Sequence, residues 1–478
     1  MDEYQVPSPR PVNPRRRRRT KLDIFKESYL PVVLVAATII FIIVTIIGAS
    51  VQNIKRKQLA QQENQVNSVQ EEIDTAKLTA EADALIAEAE IYAANYDYTS
   101  AIATLQKFSG DIAQFEKLSA QLTVYQDIKS NMVAWTADQV VNLSFHVLIE
   151  DPLRAYADKY NSTDYNRNFI STSEFRIILD QLYKNGYVLV NTDHFVNISE
   201  TTDGIKMEAA TLYLPEGKKP LIITQTHVNY YIYMTDGPDE DYLPDKDGAG
   251  FASKLIVDAD GKLQNQMVDK NGNTVTGEFD LIPILNSFVE QHPDFSYRGA
   301  KATIAVTGDE GVFGYRTNPG AKNYLSAETY NKEVEDAKKV AQAIRDSGYK
   351  IACYTYSNLP YGGIGIYTLK EDVQKWKDEV TPIVGNVDIF VFARESDLAK
   401  NAVYSGEKFQ ALMDLGFRYY FGFRVDGQPF TSVQPTHFQQ SRLMVTGSYL
   451  KYRSQWFEGI LNPTEILASI RGTIPQPQ

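Results

Sequence analysis

Residues Leu30 to Val51 form a run of 22 positions without a charge, dominated by Val, Ile, Ala and Leu. A helix needs roughly 20 such residues to cross the apolar core of a bilayer, so the run predicts a transmembrane helix over 29–51. Eight basic residues precede it (Arg10, Arg15 to Arg19, Lys21 and Lys26), against three just after it, Lys55, Arg56 and Lys57. Positive charge stays on the cytoplasmic side. The basic tail 1–28 is therefore expected inside the cell, and everything from 52 onward outside it. The apolar core of a cleaved signal peptide is shorter than this span, which reads as a signal-anchor retained at the cell membrane. Beside a membrane helix, the arginine run is a topology and lipid-headgroup signal rather than a nucleic-acid site.

The charge balance divides at the same place. The first 28 residues carry eight positive and four negative side chains, a surplus of four, so the chain's net −12 leaves −16 for the remainder. An acidic exterior repels nucleic acid and anionic wall polymers alike. Peptidoglycan or another neutral glycan stays compatible, since sugars are recognised by aromatic faces and hydrogen bonds, and the 30 tyrosines and 22 phenylalanines supply such faces. Cys353 is the only cysteine, so no intrachain disulfide can form. A large exterior domain holds together without one because its core is big enough.

From 52 to 135 the chain contains no proline and spaces its apolar residues by three and four, as in Leu78, Ala82, Leu85, Ala89 and Tyr92. Asn95 to Ser100 breaks the pattern, Ala101, Ile102, Leu105 and Phe108 resume it, and Ser109-Gly110 ends it. The segment from Glu88 to Phe108 resembles a single tetratricopeptide-like helical hairpin. One hairpin cannot make a solenoid, so the segment reads as a helical stalk, with self-association through a coiled coil as the alternative.

Beyond the stalk, helical and strand patterns alternate as in an α/β fold. Tyr187 to Val190, Thr303 to Thr307, Lys350 to Tyr354, Val387 to Phe392 and Arg418 to Phe423 read as buried strands, with helices over 327–347 and 369–380. Asp245-Lys-Asp-Gly248, Asp258-Ala-Asp-Gly261 and Asp269-Lys-Asn-Gly272 look like calcium loops but lack the EF-hand spacing. They read as turns of a hairpin insertion over about 232–278.

Several blocks between 140 and 450 carry a family resemblance. They include Ser144 to Asp151, read as the opening strand, Leu221-Ile-Ile-Thr-Gln-Thr-His-Val-Asn-Tyr-Tyr231, Phe288 to Lys301, Gly311 to Thr317, and Cys353-Tyr-Thr-Tyr-Ser-Asn358. Together these resemble the polysaccharide deacetylases with a NodB homology domain, in a membrane-anchored Firmicutes-type branch. The resemblance implies a distorted, incomplete (β/α) barrel over 136–472 with its site at the carboxyl ends of the strands. In that family an apolar strand ends in two aspartates, the first the catalytic base and the second a metal ligand. Thr226 and His227 stand in their places. The family's His-Thr/Ser-x-x-His motif supplies two imidazoles, where this chain has Tyr354 and Asn358.

Those replacements bear on the chemistry. Metal-assisted amide hydrolysis needs a cation with an open position to turn water into a nucleophile. A tyrosine phenol with a pKa near 10 and an amide oxygen are poor ligands for it. A threonine without a neighbouring base cannot replace a carboxylate as proton acceptor. No cofactor is therefore expected, and the chain reads as a pseudoenzyme that binds cell-wall glycan or scaffolds wall enzymes. Asn229, Tyr230, Tyr231, Tyr315 and Arg316 are its candidate groove residues. The alternative is an active carbohydrate deacetylase with zinc or another divalent metal at a relocated site. His227 with Asp309 or Glu310 is the weak candidate for that. The five histidines, His146, His194, His227, His292 and His437, otherwise read as structural.

Overall fold

The computed structural model describes residues 55–158, 160–202, 204–235 and 249–477, with Val35 and Thr38. The expected membrane span and the basic tail otherwise lie outside the described residues, as does the Asp245 turn. No helix among the described residues is long and apolar enough to cross a membrane. The chain divides into two compact units, one ending at Ala93 and resuming over Asp97–Asp127, the other made of Ala94–Tyr96 and Ile128–Gln478.

The first unit is helical. Helices α1 (Lys55–Ala94), α2 (Tyr98–Leu105) and the start of α3 (Glu116–Ser130) make it up. The break between α1 and α2 falls where Asp97 caps α2 by accepting the N–H of Ser100, a carboxylate satisfying a donor that the first helical turn leaves open. Ala82, Ile86, Ala89, Ala101, Leu105 and Leu118 are buried. They follow the three and four spacing because those positions share one helix face.

The second unit is a closed barrel. Its strands are β1 (Val141–Phe145), β2 (Lys219–Thr226), β3 (Ala302–Val306), β4 (Lys350–Cys353), β5 (Ile389–Val391), β6 (Tyr419–Phe423) and β7 (Phe438–Met444). Each pairs in parallel with the next, from Leu143↔Ile223 between β1 and β2 to Phe423↔Arg442 between β6 and β7. The ring then shuts through Leu443↔Leu143 and Met444↔Ser144. The barrel expectation is thus met with a correction: the seven strands form a complete hydrogen-bonded ring rather than an open one. Tyr187–Leu189 adds to the outer edge of β2, and Thr431–Val433 pairs antiparallel with β7.

Alternation along the strands sorts the two faces. Leu143, Phe145, Leu221 and Ile223 belong to the apolar core that also holds Phe175, Ile178 and Leu182 of helix α4 (Thr172–Lys184). Their alternates Asn142, Ser144, Thr224 and Thr226 face the other way, into the barrel. There Thr224 Oγ1 donates to Asn142 Oδ1 at 3.0 Å, and Asn142 Nδ2 to Gln440 Oε1 at 3.1 Å. The barrel interior is therefore polar along β7, β1 and β2, and nearly every polar group there has a partner, as burial demands.

The opening strand lies earlier than expected, over Val141–Phe145, because the chain leaves the ring after Phe145. His146 to Asp151 is then the loop at the barrel mouth. Within the insertion, Lys254–Val257, Leu263–Val268 and Thr274–Gly277 form a three-stranded antiparallel sheet. Its two turns are fastened by aspartates. Asp258 accepts the N–H groups of Asp260 and Lys262, and Asp269 those of Asn271 and Asn273. These carboxylates are occupied as turn acceptors.

Candidate functional site

The carboxyl ends of β1, β2, β4, β5 and β7 surround one cavity of about 690 Å³, lined among others by His146, His227, Tyr354, Asn358, Arg394 and Thr446. Three of the four positions singled out by the family resemblance, His227, Tyr354 and Asn358, are on its wall. Thr226 lies just under it, fully buried. Parallel strands entering one ring deliver their ends to one mouth, which is why residues more than 100 positions apart meet here.

The floor is a contact of two imidazoles. His146 Nδ1 lies 2.9 Å from Thr226 Oγ1 and 3.1 Å from His227 Nδ1, and His227 Nδ1 is 3.3 Å from the same hydroxyl. Burial pushes His146 down to about 4, with the nearby Arg442 guanidinium adding to the effect. Burial also holds His227 well below the ordinary imidazole range, helped by His146, Arg394 and Arg442. Both rings are therefore neutral at pH 7. Burial raises the Tyr354 phenol, against the opposing effect of hydrogen bonding from Thr226 and the Arg394 N–H. Asn358 attracts an N–H of His227. The geometry falls short of a hydrogen bond, and its buried Oδ1 is left without a donor.

The backbone around this cavity is strained. His227 (φ 61°), Asn358 (φ 53°), Arg394 (φ 53°) and Glu395 (φ 48°) all hold left-handed conformations and all line the cavity. A side chain in that region costs about 1 kcal/mol or more. Such strain persists only where surrounding structure enforces it, and it gathers at functional sites. Aromatic side chains complete the walls: Tyr165, Phe169, Tyr233, Phe423 and Tyr449. Tyr449 donates its hydroxyl to Glu395 Oε1 at 2.7 Å.

The five groove residues expected from sequence are placed elsewhere, and none lines this cavity. Asn229 is a buried staple: its Nδ2 donates to the carbonyls of Thr307 and Gly311 and its Oδ1 accepts the N–H of Thr307. Tyr230 donates to Asp280 Oδ2 at 2.7 Å and accepts from Asn265 at 3.0 Å, deep in the fold. Tyr315 is buried beneath the Lys254 ammonium, 4.3 Å from its ring centroid. Arg316 holds the Tyr230 carbonyl at 2.9 Å and faces Glu310 at 3.4 Å. Tyr231 comes nearest to the cavity, stacking at 5.7 Å on Tyr233, which lines it.

His146, read as a structural histidine, contacts the Thr226 hydroxyl and forms part of the floor. The partner suggested for His227, Glu310, accepts instead from the Ile232 N–H and Arg316. Neither Glu310 nor Asp309 lines the cavity. Sequence gave no spacing clue to the meeting of His146 and His227, since it exists only through the pairing of β1 with β2.

A divalent metal fits these residues poorly. Among the described residues no group of three or more His, Cys, Asp or Glu side chains is arranged to hold one. Two imidazoles and a neutral hydroxyl bring no negative charge, and the Arg442 cation is close enough to depress both rings.

No family model matches the chain, and no curated protein does. Among solved structures the chain is similar to the Streptococcus pyogenes deacetylase PplD in complex with acetate, at 9% identity and a TM-score of 0.33, covering 64% of this chain and 92% of that one. At that score the likeness supports no conclusion about fold or activity.

Proposed function

We propose that the protein is a non-catalytic, polysaccharide deacetylase-like binding protein, anchored at the cell surface by the 29–51 span, whose barrel mouth takes a cell-wall glycan. The observation that carries this reading is the cavity itself. It is walled by tyrosines and phenylalanines and held by four left-handed residues, yet its floor offers neutral imidazoles, a phenol and an amide in place of a carboxylate base or ligand set. Concave, partly aromatic pockets with a few convergent polar groups are the usual form of a small-ligand site. Asn358, on the cavity wall, brings an amide group, which can both donate to and accept from a sugar hydroxyl.

The supporting arguments for location remain those of sequence, the uncharged span and the basic residues before it. The helical unit serves as the stalk in this reading. The competing reading, an active deacetylase with a relocated metal, draws on the 3.1 Å approach of the two imidazole nitrogens, near the roughly 3.3 Å that tetrahedral zinc–nitrogen bonds of about 2.0–2.1 Å would set between two ligands. The separating experiment is metal analysis of full-length protein purified in detergent, alongside calorimetric titration with chito-oligosaccharides. Saturable binding by metal-free protein supports the proposal. One equivalent of zinc, lost when His146 or His227 is replaced by alanine, would overturn it.

A further inference from the structure

The two imidazoles on the cavity floor constrain each other. Their Nδ1 atoms are 3.1 Å apart, with ring centroids at 4.9 Å and planes at 66°. A neutral imidazole carries one hydrogen, on Nδ1 or on Nε2, and accepts through a lone pair at the other nitrogen. Two hydrogens meeting across this contact repel, and so do two lone pairs. Only one arrangement makes it a hydrogen bond: one Nδ1 holds a hydrogen and the other is bare. Thr226 Oγ1, 2.9 Å from His146 Nδ1 and 3.3 Å from His227 Nδ1, joins the same contact, with the Phe145 carbonyl at 3.3 Å as an acceptor for its own hydrogen.

The consequence falls at the other end of each ring. A ring bare at Nδ1 carries its hydrogen on Nε2, and a ring protonated at Nδ1 is bare at Nε2. Both rings line the cavity, and the hydrogen bonds that the described residues make to them all use Nδ1. Neither Nε2 is a sealed, unpartnered atom, so both open on the cavity. An incoming ligand therefore meets one fixed N–H and one fixed lone pair. The Tyr354 hydroxyl and the Asn358 amide beside them can each donate or accept. The charged groups around the site come in opposite signs. Asp164 is held by Arg167 at 2.6 Å, Arg394 is followed on the wall by Glu395, and buried Arg442 is countered by Asp397.

We infer that His146 and His227 are locked in opposite tautomers and so select an uncharged, hydroxyl-bearing sugar, rejecting both uronic acids and sugars with a free amine. This rests on the glycan-binding reading and narrows its ligand class. A hydroxyl both donates and accepts, so hydroxyls of one sugar ring satisfy the two nitrogens together. A carboxylate only accepts, and it leaves the bare nitrogen facing negative charge. An ammonium only donates, and it leaves the N–H facing positive charge. A polar group left unmatched in a desolvated site weakens binding, which is how such sites discriminate between ligands of similar size.

The test has two arms, both on the full-length protein. Solid-state NMR with isotopically labelled histidine reads the tautomers: His146 and His227, assigned by replacing each in turn, should show one Nδ1–H form and one Nε2–H form. The same form in both rings overturns the inference, and two bare Nδ1 atoms are also the pattern a shared metal would leave. Calorimetric titration with glucose, glucuronate and glucosamine, which differ by one group each and little in size, reads the selection. Glucose should bind at least about tenfold more tightly than either charged sugar, the loss expected for one unmatched group. The gap should close in His146→Phe, where His227 is free to take either tautomer. A charged sugar that binds as well as glucose overturns the inference and leaves the glycan reading standing. A gap that persists in His146→Phe overturns the role of the pair; if that variant fails to fold, the tautomers of the wild-type protein decide. Binding of none of the three sugars overturns both the inference and the glycan reading.

Discussion

The Arg471→Met substitution removes one partner of an ion pair whose side chains are each 1% exposed. Arg471 Nε and Nη2 both donate to Glu174 at 2.6 Å, and its other donors hold the carbonyls of Asn166 and Phe169 at 2.9 and 2.8 Å. Breaking a buried pair from one side leaves an uncompensated charge and costs about 3–5 kcal/mol. In a unit this large that corresponds to a fall in Tm of roughly 4–7 °C. Burial is the largest influence on the Glu174 carboxyl and pushes it up. The Arg471 bonds, with the N–H groups of Ala468 and Ser171, outweigh it and hold the carboxyl below its usual value of 4.5. A depressed acid contributes stability above its unfolded pKa and loses it as pH falls through the folded one. Without Arg471 the sign inverts: Glu174 is raised, and the variant should recover stability as pH falls from 7 to 5. The assay is urea denaturation followed by tryptophan fluorescence at both pH values. A penalty near 4 kcal/mol at pH 7 that shrinks by at least 1 kcal/mol at pH 5 is expected. A penalty below 1 kcal/mol, or one that does not change with pH, refutes the reasoning.

Three further outcomes follow from the same physics. His146, pushed down to about 4, should show no imidazole titration by NMR above pH 5.5; with its folded pKa depressed, it should cost the fold about 3 kcal/mol as pH falls from 6.5 to 4, a loss absent from His146→Asn. Asp280, pushed up to about 6 by burial, contributes stability that is present below its unfolded value of 3.8 and lost as pH rises through 6. The wild-type protein should therefore lose about 3 kcal/mol more than Asp280→Asn between pH 3.5 and 7.5 in denaturant titrations. Glu395→Gly relieves a left-handed residue (φ 48°) and should raise Tm by about 1 °C, corresponding to about 0.5–1 kcal/mol, while weakening ligand affinity measured by calorimetry because Tyr449 loses its acceptor.

The strands read from sequence were legible because they are buried on both faces and are mostly apolar. Ala302–Val306 and Lys350–Cys353 fall within a residue or so of the positions read from sequence. Helix Ala327–Asp346 was equally plain, with Ser326 accepting the Thr329 N–H at its start and buried Ala337, Val340, Ala341 and Ile344 on one face. The strand carrying Arg442 escaped notice. Phe438-Gln-Gln-Ser-Arg-Leu-Met444 is polar at its centre, and a polar strand reads as an exposed edge. Only closure of the ring turns it inward, where Gln440 and Arg442 find Asn142 and Ser144. The same closure explains the floor. Sequence marked His227, Tyr354 and Asn358 by motif position, but nothing along the chain ties them to His146. Asn229 and Tyr230 were misplaced because a motif ties residues to a neighbourhood without saying which way they face; a left-handed φ of 49° at Tyr230 turns it down to Asp280.

The central claim, that the barrel mouth holds a ligand without hydrolysing it, is tested most directly by proton NMR of one sample: full-length protein with an N-acetylated oligosaccharide, followed for bound-state perturbations and for release of free acetate. The account predicts saturable line broadening of the sugar resonances, lost in Asn358→Ala, and no acetate signal above the protein-free control. Acetate that accumulates in proportion to protein concentration, and stops when His227 is replaced by alanine, would contradict it.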